Sequence, residues 1–400
     1  MFAALLWLML ACAPALGAVP QSESHESSSI GDCKQCGNTG EVKCNTCAKS
    51  TCSWQGDQRV DSGPRTKIVE ARFCSKSVEC RQCLGTRVVA CPFCKRGLSA
   101  TTTKLRAENE AWIGQMRTID EAVGSKPLHV ESLHFSVTWG ITDDIVYQKR
   151  GAPPHSYVHN YLDLLELIYA DCLHDFSATD KDFCGKTSVM LWQKVEEQER
   201  ASLAFTGKFS PSESMRLGKS PVISILYDSK QMQCEAGLSH AVVHDVAHCL
   251  LASVFDGLSP GELNGGWMEC GLAAAYENRY CGWIEHYCPL ELSPSDAHQF
   301  GDWEYSVVKG LLAAKETRFV DVIERKTGEL SPEAQTYAWS YCDYMLRSQS
   351  AKFGAIVKGL KAQEPCTDLL KRVLDMTPEQ FQESWSAWVK AKYRRSGQRG

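Results

Sequence analysis

Beyond its first seventeen residues the chain has no long hydrophobic run. That excludes a later transmembrane helix, which needs about 20 consecutive apolar residues. It also lacks a strong excess of either charge. A net charge of -5 over 400 residues gives no reason to expect a nucleic-acid partner. Residues 33–94 have few large aliphatics, so hydrophobic burial alone cannot build a core there. The same stretch holds ten of the 20 cysteines, so metal or disulfide staples are expected instead. The opening segment has no Lys or Arg, yet Phe2 to Gly17 is apolar and ends in the small-x-small run Ala15-Leu16-Gly17. Residues 1–17 are read as a secretory signal peptide, which predicts a secreted or periplasmic protein.

Composition divides the remainder. Residues 18–32 are polar and Ser-rich and read as a flexible linker. Residues 33–98 form the cysteine-rich module, residues 104–393 a larger domain, and residues 394–400 a basic tail. In the larger domain, alternation predicts strands over 133–141 and 222–227. Helical periodicity predicts helices over 157–176, 239–255, from 266 through 275, and over 303–325, 333–349, 351–361, 365–375 and 377–393. The expected class is α+β: a small four-cysteine, zinc-ribbon-like module before a mostly helical domain with a small β-sheet.

Four C-x-x-C pairs occur, at Cys33/Cys36, Cys44/Cys47, Cys80/Cys83 and Cys91/Cys94. Seven residues separate the first two pairs, and seven the last two. Two thiolates on one tight knuckle can grip a zinc ion, and a second knuckle completes the tetrahedron. Eight ligands predict two zinc ions. Cys33 to Gly40, CKQCGNTG, resembles the CxxCxGxG repeat of the cysteine-rich zinc domain in DnaJ-type chaperones. The resemblance implies that the first repeat pairs with the fourth and the second with the third. The 32 residues between the halves leave local pairing, first with second and third with fourth, equally open. No J-domain accompanies the repeats, so a heat-shock ATPase partner is not implied. Export to an oxidising compartment keeps disulfides, including one between Cys52 and Cys74, in competition with metal.

The helix predicted over 239–255 carries His244-Asp245-Val246-Ala247-His248. Two histidines four apart share one helix face and can reach one metal ion. His240 lies on the same face, but it is about 12 Å along the axis from His248 and belongs to the surroundings of the ion instead. Downstream runs Gly266-Trp267-Met268-Glu269-Cys270-Gly271-Leu272-Ala273-Ala274-Ala275-Tyr276-Glu277. Together these resemble the gluzincin metallopeptidases, with H-E-x-x-H followed by W-L-N-E-G-L-A-E. The resemblance implies a zincin-like fold with His244 and His248 as zinc ligands. Asp245 stands where the family has the Glu that takes a proton from the attacking water. Cys270 replaces the ligand Glu, with Glu269 as runner-up, and Ala274 replaces an acid that buttresses a histidine. Tyr337 or Tyr341 falls in the later helix that can supply a tyrosine to the oxyanion.

Cysteine is a good zinc ligand, but the shortened carboxylate and the lost buttress weaken catalysis. The expectation is an exported zinc protein whose metallopeptidase-like domain is degenerate, binding peptide or protein without efficient cleavage. A third zinc would then sit in that domain, beyond the two of the cysteine module. Three alternatives stay open: a zincin-shaped core without metal, an active zinc metallopeptidase, and a thiol-based chaperone or oxidoreductase using the C-x-x-C pairs. Nine cysteines from Cys172 onward cannot all pair; if Cys270 binds metal, eight remain for four disulfides. The oligomeric state is not readable from the sequence.

Overall fold

The computed structural model describes residues 33–46, 73–75, 80–94, 96–142, 154–207, 214–216, 221–227, 235–288 and 302–393. The expected signal peptide, linker and basic tail lie outside these residues, as do Cys47, Cys52 and Cys234. The chain is α+β, with clusters of cysteines in its amino-terminal part. Among the described residues no helix is long and apolar enough to cross a membrane.

In the cysteine region, strands β1 (Glu41–Lys43) and β3 (Val88–Ala90) pair antiparallel, with Val42 opposite Val89. The intervening strand β2 (Phe73–Cys74) does not join them. It forms the edge of a six-stranded sheet in the larger part of the chain. The other strands of that sheet are β4 (Leu128–Glu131), β5 (Phe135–Gly140), β6 (Thr187–Trp192), β7 (Ser214–Arg216) and β8 (Val222–Leu226). The order is β2-β4-β5-β6-β8-β7, with β5, β6 and β8 parallel and the remaining pairs antiparallel.

Alternation along the strands gives the sheet two apolar faces. Val137, Trp139, Val189, Leu191, Ile223 and Ile225 point into the main core. Helices α2 (Pro154–Asp175) and α4 (Glu235–Ser253) pack on this side. Met190, Trp192, Val222 and Leu226 point the other way, where helices α1 (Ala100–Val123) and α3 (Val195–Thr206) cover them. A strand buried on both faces reads as a continuous apolar run, as β8 does with Val-Ile-Ser-Ile-Leu.

Helix α4 is apolar on nearly every side, because it lies between the sheet and a helical layer. Its neighbour α5 (Gly266–Cys281) is buried from Gly266 to Glu277. Small residues let α5 approach closely: a Cβ on Gly271 would collide with the Ala338 carbonyl and the Cys342 sulfur of helix α7 (Pro332–Ser348). Around this pair stand α6 (Trp303–Leu312), α8 (Ser350–Lys361), α9 (Cys366–Leu374) and α10 (Pro378–Lys392).

The helix expected over 303–325 is shorter. It ends at Leu312, Ala314 adopts a φ of 52°, and a short 3-10 turn at Phe319–Asp321 follows. The apolar residues past the break serve a different purpose. Phe319 packs against Trp267, Tyr341 and Phe381, with ring centroids 5.0, 4.9 and 4.2 Å away. No two cysteines among the described residues are bonded to each other, and Cys52, half of the expected Cys52–Cys74 bridge, lies outside them.

Candidate metal centres

A zinc ion in a tetrahedron sits about 2.0–2.1 Å from nitrogen and about 2.3 Å from sulfur, which places its donors about 3.3–3.8 Å apart. The cysteine region meets that spacing. Cys33, Cys36, Cys91 and Cys94 form one group, with sulfurs 3.7 Å apart for Cys33 and Cys91 and 3.4 Å apart for Cys36 and Cys94. Cys44, Cys80 and Cys83 form another, with Cys44 and Cys80 separated by 3.8 Å. Cys47, the fourth member expected there, lies outside the described residues. These separations are far wider than the roughly 2.05 Å of a disulfide. Of the two pairings left open by the sequence, the structure brings the first repeat to the fourth and the second to the third.

Local chemistry accounts for this choice. Thr39 N–H and Oγ1 both donate to the Cys36 carbonyl, and Thr86 does the same to Cys83. Cys91 N–H donates to Gly40 O, and Cys44 N–H to Arg87 O, each at 2.8 Å. The first and third knuckles are therefore one turn type, and the β1–β3 ribbon sets each beside a knuckle of the other type. Gly40, at a φ of 80°, must lack a side chain because a Cβ would press on Gly97 O. Burial opposes ionisation at Cys36, but the Gly40 backbone and the neighbouring thiols outweigh it and lower the pKa to about 6. Cys94 moves the other way, to about 11.

The second kind of site lies where α4 crosses α5. His244 Nε2 and His248 Nε2 are 3.2 Å apart, and the Cys288 sulfur lies 3.1 and 2.9 Å from them. All three side chains are buried. The residue that joins the two histidines was not read from the sequence as a ligand. Cys288 follows α5 by a short irregular segment, which carries no periodic signal. Gln335 of α7 holds it: the Gln335 carbonyl accepts from Cys288 N–H at 2.7 Å, and the amide donates to Cys288 O.

The histidine rings are oriented from behind. His244 Nδ1 lies 2.9 Å from Glu277 Oε2, so this nitrogen carries the proton and Nε2 presents its lone pair to the cluster. Burial pushes the His244 pKa down despite that carboxylate, which favours the neutral imidazole a metal requires. Glu277 also meets His240 Nδ1 at 2.8 Å, His286 Nδ1 at 3.1 Å and the Glu285 N–H at 2.6 Å. Burial alone would raise Glu277, but the His286 charge and these donors hold it well below the ordinary carboxylate range. Burial opposes protonation of half-buried His286, and Glu277 outweighs it, raising His286 to about 9. The neighbouring Cys270 thiol and burial hold Cys288 well above its ordinary value, a state that a coordinated cation would reverse.

The other expected site residues fall as follows. Cys270 is buried beside Cys288, outside the three-atom group. Glu269 Oε1 lies 3.4 Å from His248 Nδ1, behind the ring, and its oxygens accept from Ser259 Oγ at 3.1 Å and Thr327 Oγ1 at 2.6 Å. Asp245 is half-buried and near enough for its charge to raise both His286 and Cys288. The two tyrosines are directed elsewhere. Tyr341 donates to Thr317 O at 2.5 Å and Gln382 Oε1 at 3.0 Å, and the Tyr337 hydroxyl lies against Gly310 of α6.

The donors suit a borderline-soft divalent cation. Two Nε2 atoms and a sulfur converge within 3.2 Å of one another. No protein-family model matches the chain, and no curated protein is similar to it in sequence.

Proposed function

We propose that the chain is an exported zinc-binding protein that engages peptide or protein without cleaving it efficiently. On this reading the amino-terminal part is a DnaJ-type cysteine-rich module holding two zinc ions. The larger part is a gluzincin-like domain whose site keeps its metal and has lost its chemistry. The observation that carries the reading is the convergence of His244 Nε2, His248 Nε2 and Cys288 Sγ, with Glu277 fixing the tautomer of His244.

A zinc ion, when bound, would polarise a carbonyl and acidify water, which is the chemistry of a metallopeptidase. The protein's own residues support holding the ion more than using it. A catalytic zinc site keeps an open position, whereas a structural site is closed by protein donors. Here the third donor is a thiol, and a second thiol, Cys270, lies next to it. Glu277 and Glu269 face the Nδ1 edges of the histidines, away from the donor cluster. Asp245 is one carbon shorter than the usual base, and a shortfall of about 1 Å can cost around a hundredfold in rate. Peptide or protein as the ligand follows from the family resemblance, because a domain shaped for peptide retains that shape when its acid–base group is withdrawn.

The test is proteolysis of casein by the zinc-loaded chain beside zinc analysis of the same samples. The expected result is no turnover above that of His244→Ala, and one zinc per chain fewer in that variant. Asp245→Glu is expected not to restore turnover, since Tyr337 and Tyr341 stay directed away from the site. Robust cleavage abolished by H244A and lowered by Asp245→Asn would replace this reading with an active peptidase. A zinc-free protein with titratable disulfides would replace it with thiol–disulfide chemistry.

A further inference from the structure

A second pair of histidines meets a cysteine where the start of α2 lies beside the edge strand β2. His155 and His159 lie one turn apart on α2, with ring centroids 4.6 Å apart. Their Nε2 atoms face each other at 3.1 Å, and the Cys74 sulfur lies 3.0 Å from His155 Nε2. All three donor atoms lie within 4.8 Å of one another. Cys74 and His159 are 3% and 2% exposed, and His155 is half-buried.

We propose that Cys74, His155 and His159 form a further zinc site, which clasps the cysteine-rich segment to the larger part of the protein. The chemistry rests on the donor set. Two imidazole nitrogens and one sulfur, mutually close and largely shielded from water, match the preference of a borderline-soft divalent cation. A single N–H···N bond can join the two imidazoles, whereas a cation would engage all three donor atoms at once. Two of the spacings, 3.0 and 3.1 Å, nearly repeat those around His244, His248 and Cys288, although the two clusters share no sequence context.

The position gives the site its role. Cys74 lies between the second and third C-x-x-C pairs, so the chain leaves the paired knuckles, reaches the six-stranded sheet and returns. The excursion is anchored by short contacts: Cys74 pairs with Val130, Phe73 stacks on Trp112 at 5.4 Å, and His129 N–H donates to Ser75 Oγ at 3.1 Å. A two-residue edge strand is a weak tether by itself. A metal bridging β2 to the first turn of α2 would fix it in place. This inference does not depend on the reading of the His244 cluster.

The experiment is metal analysis of the intact chain loaded with zinc and freed of excess, beside Cys74→Ser, Cys74→His and the double variant His155→Gln/His159→Gln. Cys74→Ser and the double variant are expected to carry one zinc per chain fewer than the parent, with an unchanged far-ultraviolet circular dichroism spectrum. Cys74→His, which replaces one ligand by another, is expected to keep it. Equal zinc content in the parent and the folded double variant overturns the proposal. If the variants fail to fold, the unsubstituted chain loaded with cadmium-113 answers the same question. A cadmium resonance coupled to the His155 and His159 imidazole nitrogens supports the site, and the absence of such coupling overturns it.

Discussion

The His244/His248/Cys288 cluster and the Cys74/His155/His159 cluster use the same donors in different settings. In the first, a buried carboxylate on α5 orients His244, Glu269 stands behind His248, and Gln335 grips the backbone of the cysteine. His244 and Cys288 are held by hydrogen bonds from neighbouring helices, so their placement does not depend on the ion. In the second, the two histidines come from one helical turn and the cysteine from a two-residue strand brought in from the amino-terminal region. There the ion would define the geometry. The contrast separates a metal held by a prepared site from a metal that holds the protein together, and each half of it can be tested.

The largest difference is expected from losing a ligand. His248→Ala should destabilise the chain by about 3–5 kcal/mol, because it leaves buried Glu269 facing a void. His159→Ala should cost less, since β2 remains paired with β4. Urea unfolding of zinc-loaded protein measures both. A cost for H159A as large as that for H248A would break the comparison.

Glu277→Gln should come next. Its carboxylate accepts from three histidines, so the change should weaken zinc binding at the His244 cluster about 10- to 100-fold. Competition with a chelator of known affinity checks this, and the Cys74 cluster should show no change. An equal loss at both would mean that the two sites are coupled.

Gln335→Ala removes the clamp on Cys288 and leaves a buried N–H and C=O without it. The expected cost is about 1–3 kcal/mol. Thermal unfolding with and without zinc checks it. The loss should be larger with zinc present if Gln335 serves to place the sulfur.

The smallest effect concerns Lys361 of α8, whose ammonium donates to the Leu251 and Ala252 carbonyls in the last turn of α4 at 3.2 and 2.7 Å. Burial lowers its pKa to about 8, below its ordinary value of 10.5. Between these two pH values the unfolded chain binds more protons at this group than the folded chain does. Its contribution to stability therefore rises as pH increases from about 8 towards 10.5. Measured against Lys361→Met, the stability of the parent should improve over that window. A flat difference would mean that the amine is not shielded beneath α4.

Much of the donor chemistry was legible in the sequence. The C-x-x-C frame marked the sulfur clusters, and His244-x-x-x-His248 marked a metal-facing helix, because both motifs bring ligands together within one turn. The repeat pairing was legible only through the DnaJ-type resemblance, since spacing left local pairing open; Thr39 and Thr86 each stand three residues beyond a knuckle's second cysteine, and the other two repeats lack that threonine. Cys288 was missed because it is 40 residues beyond His248 and outside any periodic element. Glu277 lies about one turn beyond Ala274, the position to which the resemblance assigns the buttressing acid, and it meets His240 and His244 there. Helical periodicity in the sequence starts at 157, which leaves His155 outside the expected helix and hides its pairing with His159. Pro154 opens the helix instead, and proline suits a first turn.

By itself the sequence determined which residues could be donors and which short stretches would present two of them side by side. That information is local: it depends on the turn of a knuckle or the pitch of a helix, and neighbouring residues set both. Only the tertiary structure decided which third group meets each pair. Ribbon pairing brought Cys91 to Cys33, a segment after α5 brought Cys288 to His244, and an edge strand brought Cys74 to His155. Those meetings depend on how distant elements pack, and no spacing along the chain encodes them.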